Sequence, residues 1–145
     1  MSYSRKQSEL VLLIIEKMQK GKAAIQEYCK QKKFANFVIE SGLEYLIPRW
    51  EKTVLRIKNG YTMTLYEYLN DMDTRKIINE VWLLASDEQI DQYQERLKAA
   101  DEEYFDSTVP SEECIWGGKN AVKYGYIQEA DWWYYHVPTN KGSRW

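Results

Sequence analysis

The chain has 145 residues, a length that fits one domain and lets a folded core cover roughly 70% of the surface of the unfolded chain. With 44% hydrophobic and 29% charged residues it has globular composition, which excludes a disordered polyelectrolyte. The net charge of −2 hides an opposition along the sequence: residues 1–60 hold twelve Lys and Arg against six Asp and Glu, residues 61–106 hold four against twelve, and residues 107–145 hold four of each. Antiparallel packing of such segments neutralises them; the alternative is one basic and one acidic face, each for its own partner.

The longest apolar run, LVLLII at 10–15, is far short of the roughly 20 residues that cross a bilayer, so no membrane-spanning helix is expected. Arg5 and Lys6 precede it as in a secretory leader, but Glu16 and Lys17 stand where a small-residue cleavage site belongs, and the run reads as a buried helix. Val11, Ile14, Met18, Ile25 and Cys29 share one stripe, which predicts a single long helix bent at Gly21. Its second half carries Lys17, Lys20, Lys22, Lys30, Lys32 and Lys33. Nucleic-acid binding through these lysines is the weaker reading against a solvated face, because Glu16 and Glu27 interrupt the cluster and arginine is absent.

SGLE at 41–44 has the pattern of a capping box, predicting a helix from there to Lys58. Leu43, Leu46, Ile47, Trp50, Val54 and Ile57 form its apolar stripe, while Arg49, Lys52 and Arg56 point away. Pro48 is expected to kink this helix or to mark its first turn. TLYE at 64–67 repeats the box. The apolar face that follows, Leu65, Tyr68, Leu69 and Met72, is about half a turn from that of Ile77, Ile78, Val81 and Trp82, which predicts a break at 70–73 with Asp73 capping a second helix. Asp71 and Asp73 form an Asp-x-Asp, a pattern that also holds metal–phosphate complexes, but capping accounts for Asp73 without a metal.

SDEQ at 86–89 opens the cleanest period in the chain, Ile90, Tyr93, Leu97, Ala100 and Tyr104. The opposite face carries Glu88, Asp91, Glu95, Glu102 and Asp106. Asp101 falls between the two faces and calls for a cation, Arg75 or Lys76. Beyond residue 107, WGG at 116–118 and YGY at 124–126 bracket one short helix. Four of the six tryptophans, Trp116, Trp132, Trp133 and Trp145, lie in this last quarter. WWYYHVP at 132–138 predicts a short strand with Trp132, Tyr134 and His136 on one side and Trp133 and Tyr135 on the other.

The expected architecture is therefore mainly α, a single domain over 1–145 of five or six helices. An irregular aromatic-rich segment at 107–145, with one or two short strands, wraps over it as part of the same domain. A lone histidine and two distant cysteines do not make a Cys/His zinc site, and no phosphate-cradling loop occurs, so no metal and no cofactor is expected. The cysteines, Cys29 and Cys114, and the absence of an Asn-x-Ser/Thr sequon ask for no oxidising compartment, which makes the cytoplasm the default location.

No catalytic constellation is evident, which favours recognition over turnover. The expected function is a protein-binding module, inhibitor- or immunity-like, using an acidic helix and an aromatic patch drawn from Asp91, Glu95, Glu102, Trp116, Trp132, Tyr134, His136 and Trp145. The rivals are a ligand pocket or active site around His136 with Cys114 or Glu113, and nucleic-acid binding through the lysine-rich helix.

Overall fold

The computed structural model describes residues 3–145, with side chains from Glu9 onward; the side chains of Arg5 and Lys6 lie outside the described residues. Seven α-helices are present among these residues: α1 (Tyr3–Lys17), α2 (Lys22–Gln31), α3 (Asn36–Ser41), α4 (Leu43–Lys58), α5 (Leu65–Trp82), α6 (Asp87–Asp106) and α7 (Gly118–Tyr124). A two-stranded antiparallel ribbon joins β1 (Thr108–Pro110) to β2 (His136–Pro138), with Thr108 opposite Pro138 and Pro110 opposite His136. The protein is mainly helical, with an aromatic-rich C-terminal segment laid over the helices.

Two local features add helices to those expected. Instead of one bent helix, the first apolar stripe is carried by α1 and α2. Gly21 between them has φ 136°, a conformation side chains disfavour, and its N–H donates to the carbonyl of Leu84 at 2.7 Å. Ser41 does not cap α4 but ends α3. Gly42 makes the turn at φ 54°, with its Cβ position 3.2 Å from Ile25, so both conformation and space call for glycine there. Pro48 stands well inside α4, not in its first turn. The apolar run at 10–15 is only half buried: Val11 and Ile14 are in the core, while Leu12 and Leu13 are 59% and 50% exposed.

The predicted break at 70–73 does not occur. α5 runs unbroken over 18 residues, and Asp73 caps nothing. One straight helix buries both apolar faces because it is covered nearly all round, by α1, α4 and the C-terminal segment. Its buried residues include Tyr68, Met72, Ile78 and Val81, but also Asp71, Arg75, Lys76 and Glu80. Each of these charges has a partner. Arg75 holds Asp101 of α6 through Nε and Nη2 at 3.0 and 2.9 Å, and the Trp50 indole N–H donates to the same carboxylate at 2.9 Å. Lys76 reaches Asp131 at 2.9 Å and Glu80 at 3.5 Å. The hydroxyl of Tyr61 donates to Asp71 at 2.7 Å.

The predicted strand over 132–137 is mostly a 3-10 turn, Trp132–Tyr135, and only His136–Pro138 is extended. Side chains in the turn do not alternate: Trp133, Tyr134 and Tyr135 are all buried, and Trp132 and His136 are partly exposed. A buried irregular backbone leaves carbonyls in need of donors, and tyrosines supply them. Tyr104 donates to the Trp133 carbonyl, Tyr68 to the His136 carbonyl and Tyr135 to the Tyr126 carbonyl, at 2.9, 2.9 and 2.8 Å.

Replacement Asp101→Ala strands a buried guanidinium and is expected to cost about 3–5 kcal/mol of unfolding free energy in urea titrations. Tyr104→Phe, which removes the donor to Trp133, is expected to cost about 1–3 kcal/mol in the same measurement.

Candidate protein-binding face

The SDEQ box forms as the sequence predicts: Ser86 Oγ accepts from the Gln89 N–H at 3.2 Å, and Gln89 Oε1 accepts from the Ser86 N–H at 3.0 Å. Starting from this cap, α6 buries Tyr93, Leu97, Ala100 and Tyr104 and turns the opposite side to water. Glu88, Asp91, Glu95, Glu102 and Asp106 are all exposed on that side. At 1.5 Å per residue they span about 27 Å. None has a cation partner among the described residues, whereas other charges near α6 are matched, Lys58 with Glu103 at 2.8 Å, Arg96 with Glu51 at 2.6 Å and Arg75 with Asp101. Lys98 is the one cation that falls within the stripe. The negative end of the α6 dipole reinforces the field of Glu102 and Asp106.

At this end of α6 the stripe meets an aromatic cluster. Phe105, 44% exposed, has its ring centre 4.8 Å from Trp132 and 5.1 Å from His136. Trp132 is fixed from behind by Arg75, whose guanidinium carbon is 5.1 Å from its ring. His136 is fixed by Thr108. The Thr108 hydroxyl donates to the Tyr104 carbonyl at 2.7 Å, so its oxygen accepts from Nδ1–H of His136 at 3.0 Å, and Nε2 carries the lone pair. Burial lowers the His136 pKa from the usual 6.5, and the ring is neutral at pH 7.

Of the residues expected to form the site, Asp91, Glu95, Glu102, Trp132 and His136 belong to this face. The other three do not join it. Tyr134 is buried at 1% exposure and donates to Asp73 at 2.6 Å, which corrects the expectation that it lies exposed beside Trp132 and His136. Trp116 lines a separate hollow with Phe34 and Tyr124, and Trp145 packs edge-on against Tyr61 and Tyr68, at 6.0 and 5.1 Å between ring centres. Phe105 is the member that sequence reasoning missed. Its signal was an apolar residue between Tyr104 and Asp106 on the polar side of an amphipathic helix.

The rival sites fare differently in detail. Burial pushes the Cys29 thiol up to about 11 and raises that of Cys114, so neither is a ready thiolate, and His136 is engaged with Thr108, Tyr104 and Phe105. Asp71 and Asp73 accept hydrogen bonds from different phenols, Tyr61 and Tyr134. The N-terminal lysines are divided between the end of α1, the Gly21 turn, α2 and the turn after it, and the hollow that Lys20 and Lys22 border also contains Glu40, Glu44 and Glu88. No helix among the described residues is long and apolar enough to cross a membrane. Comparison with protein-family models, curated proteins and solved structures finds no match to this chain.

Because the folded protein binds the His136 proton less readily than the unfolded chain does, stability is intact above about pH 6.5 and falls below it. Thermal melts between about pH 7.5 and pH 5.5 are expected to show a larger loss of Tm for wild type than for His136→Gln.

Proposed function

We propose that the protein is a non-catalytic, cytoplasmic protein-binding module, inhibitor- or immunity-like, and that the α6 face receives a partner with a basic surface. One observation supports this above the others: five exposed carboxylates without cations of their own run into a partly exposed aromatic cluster, Phe105, Trp132 and His136, backed by Arg75 and Thr108. Unmatched surface charge steers a partner of opposite sign at long range and fixes its orientation. Aromatic rings held from behind lose little freedom on contact and so make effective anchors. The partner this chemistry fits carries Lys or Arg along a ridge and an apolar hollow at one end of it. Neutral Nε2 of His136 adds one acceptor at the anchor.

The test is capture of partners from the native source with immobilised wild type, with an Asp91→Lys, Glu95→Lys, Glu102→Lys variant and with Phe105→Ala, Trp132→Ala. Wild type is expected to retain a basic protein that salt displaces, the charge-reversed variant to lose it, and the double alanine variant to bind about 2 kcal/mol more weakly by calorimetry. Retention of the same protein by the charge-reversed variant overturns the reading, as does a wild type that retains none.

A further inference from the structure

A second face has the opposite charge. α5 is buried nearly all round, but Asn70, Asp73 and Ile77, at intervals of three and four, form a strip along one side that stays open. Three hollows adjoin along it. The first, about 440 Å³, is bordered by Arg49, Lys52 and Arg56 of α4 and by Asp71. The second, about 350 Å³, shares Tyr45 and Arg49 with the first and adds Phe37, Asn70 and Ile77. The third, also about 350 Å³, shares Phe34, Asp73 and Ile77 with the second and is walled by Trp116, Tyr124 and Tyr126. Sharing these lining residues, the three hollows lie side by side in series, a segmented groove.

Its two ends differ in chemistry. At the α4 end Lys52 and Arg56 are exposed and form no direct ion pair among the described residues, and Arg49 donates to the Tyr45 hydroxyl at 2.6 Å. Two carboxylates also border this hollow. Asp71 is 8% exposed, accepts from the Tyr61 hydroxyl and lies in the field of Arg56 and Arg49, and Glu44 stands exposed at the rim. Three cations thus meet two carboxylates here, one of them buried, and the charge presented outward is net positive. At the far end the walls are aromatic. Between them the Asn70 amide makes no side-chain hydrogen bond and offers a donor and an acceptor.

We propose that this groove takes an extended segment of a partner protein, with an acidic cluster seated on Arg49, Lys52 and Arg56 and a large apolar side chain against Phe34, Trp116 and Tyr124. The strip from Asn70 to Ile77 covers about 10 Å, which sets the two groups three or four residues of extended chain apart. A linear segment fits hollows that open in series, where a compact small molecule needs one enclosed site. Asp73 in mid-groove opposes a nucleic-acid strand, which brings phosphates along its whole length. The proposal is independent of the α6 face, and the two together make a bivalent adaptor whose surfaces select partners of opposite sign.

The probe is a pair of fluorescein-labelled peptides, Glu-Asp-Glu-Ser-Gly-Ser-Leu-Trp-Leu and its reversed sequence, titrated with the full chain by fluorescence anisotropy. At least one is expected to bind with a dissociation constant on the order of 10 µM. Arg49→Glu with Lys52→Glu, both on exposed positions, is expected to weaken it about tenfold or more, and Phe37→Ser several-fold. The Asp91→Lys, Glu95→Lys, Glu102→Lys variant is expected to bind the peptide at least as well as wild type, which separates this surface from α6. The proposal is overturned if neither peptide binds by about 1 mM, or if the Arg49, Lys52 variant matches wild type with an unchanged melting curve. It is also overturned if sedimentation shows a wild-type dimer that the Arg49, Lys52 variant abolishes, since a second copy then occupies the groove.

Discussion

A helix that is buried nearly all round has to pair every charge it carries, and α5 carries several. An unmatched guanidinium or ammonium in such a position is too costly to keep. Arg75 and Lys76 therefore dictate where their partners stand: Asp101 brings α6 to one side, and Asp131 brings the C-terminal segment to another. The same pairing reaches the surface. Arg75 has a third nitrogen, Nη1, with no hydrogen-bond acceptor, and its flat cation lies near the rings of Trp132 and Trp133, at 5.1 and 5.4 Å. The acidic stripe and the aromatic anchor of the α6 face are thus held to one another by a buried ion pair beneath them.

The many tyrosines serve a related need. Between residues 107 and 145 the backbone is mostly irregular yet partly buried, and helical or sheet hydrogen bonds cover only part of it. Phenols reach across to cap its carbonyls while their rings fill the space between helices. At the junction of α5, α6 and the 3-10 turn, the Tyr68 and Tyr104 hydroxyls lie 2.9 Å apart, and each also contacts a carbonyl. Two protons serve three contacts there, so the hydrogen bonds form one shared arrangement in which neither phenol acts alone.

What the sequence revealed and what it hid divide along a physical line. Features decided by a few neighbouring residues were legible: the Thr64 and Ser86 capping boxes, the buried stripe of α6, the short helix between the glycines at 117 and 125, and the need of Asp101 for a cation. Features decided by the surroundings were not. Two apolar faces half a turn apart look like two helices until a third layer is known to cover both. Ser41 has the right spacing to cap α4, but the chain turns at Gly42, with φ 54° and no room for a side chain against Ile25, and α4 starts one residue later. Aromatic, β-favouring residues at 132–135 suggested a strand. The anchoring of the Trp133 carbonyl by Tyr104 and of the Tyr134 hydroxyl by Asp73 selects a tight turn. For the candidate face, the carboxylates were visible from their period, whereas Phe105 acquires its meaning only from Trp132 and His136, far along the chain.

The small ribbon of β1 and β2 has a further consequence. A two-stranded sheet at a protein surface ordinarily offers free backbone donors to any extended chain that drifts past, and such borders seed aggregation. Here Pro110 ends one strand and Pro138 the other, at opposite corners of the pairing. Neither has an N–H to give, so a third strand finds its ladder interrupted on both sides. A molecule that displays sticky aromatic rings beside this ribbon can associate through those rings without being zipped, backbone to backbone, into a fibre.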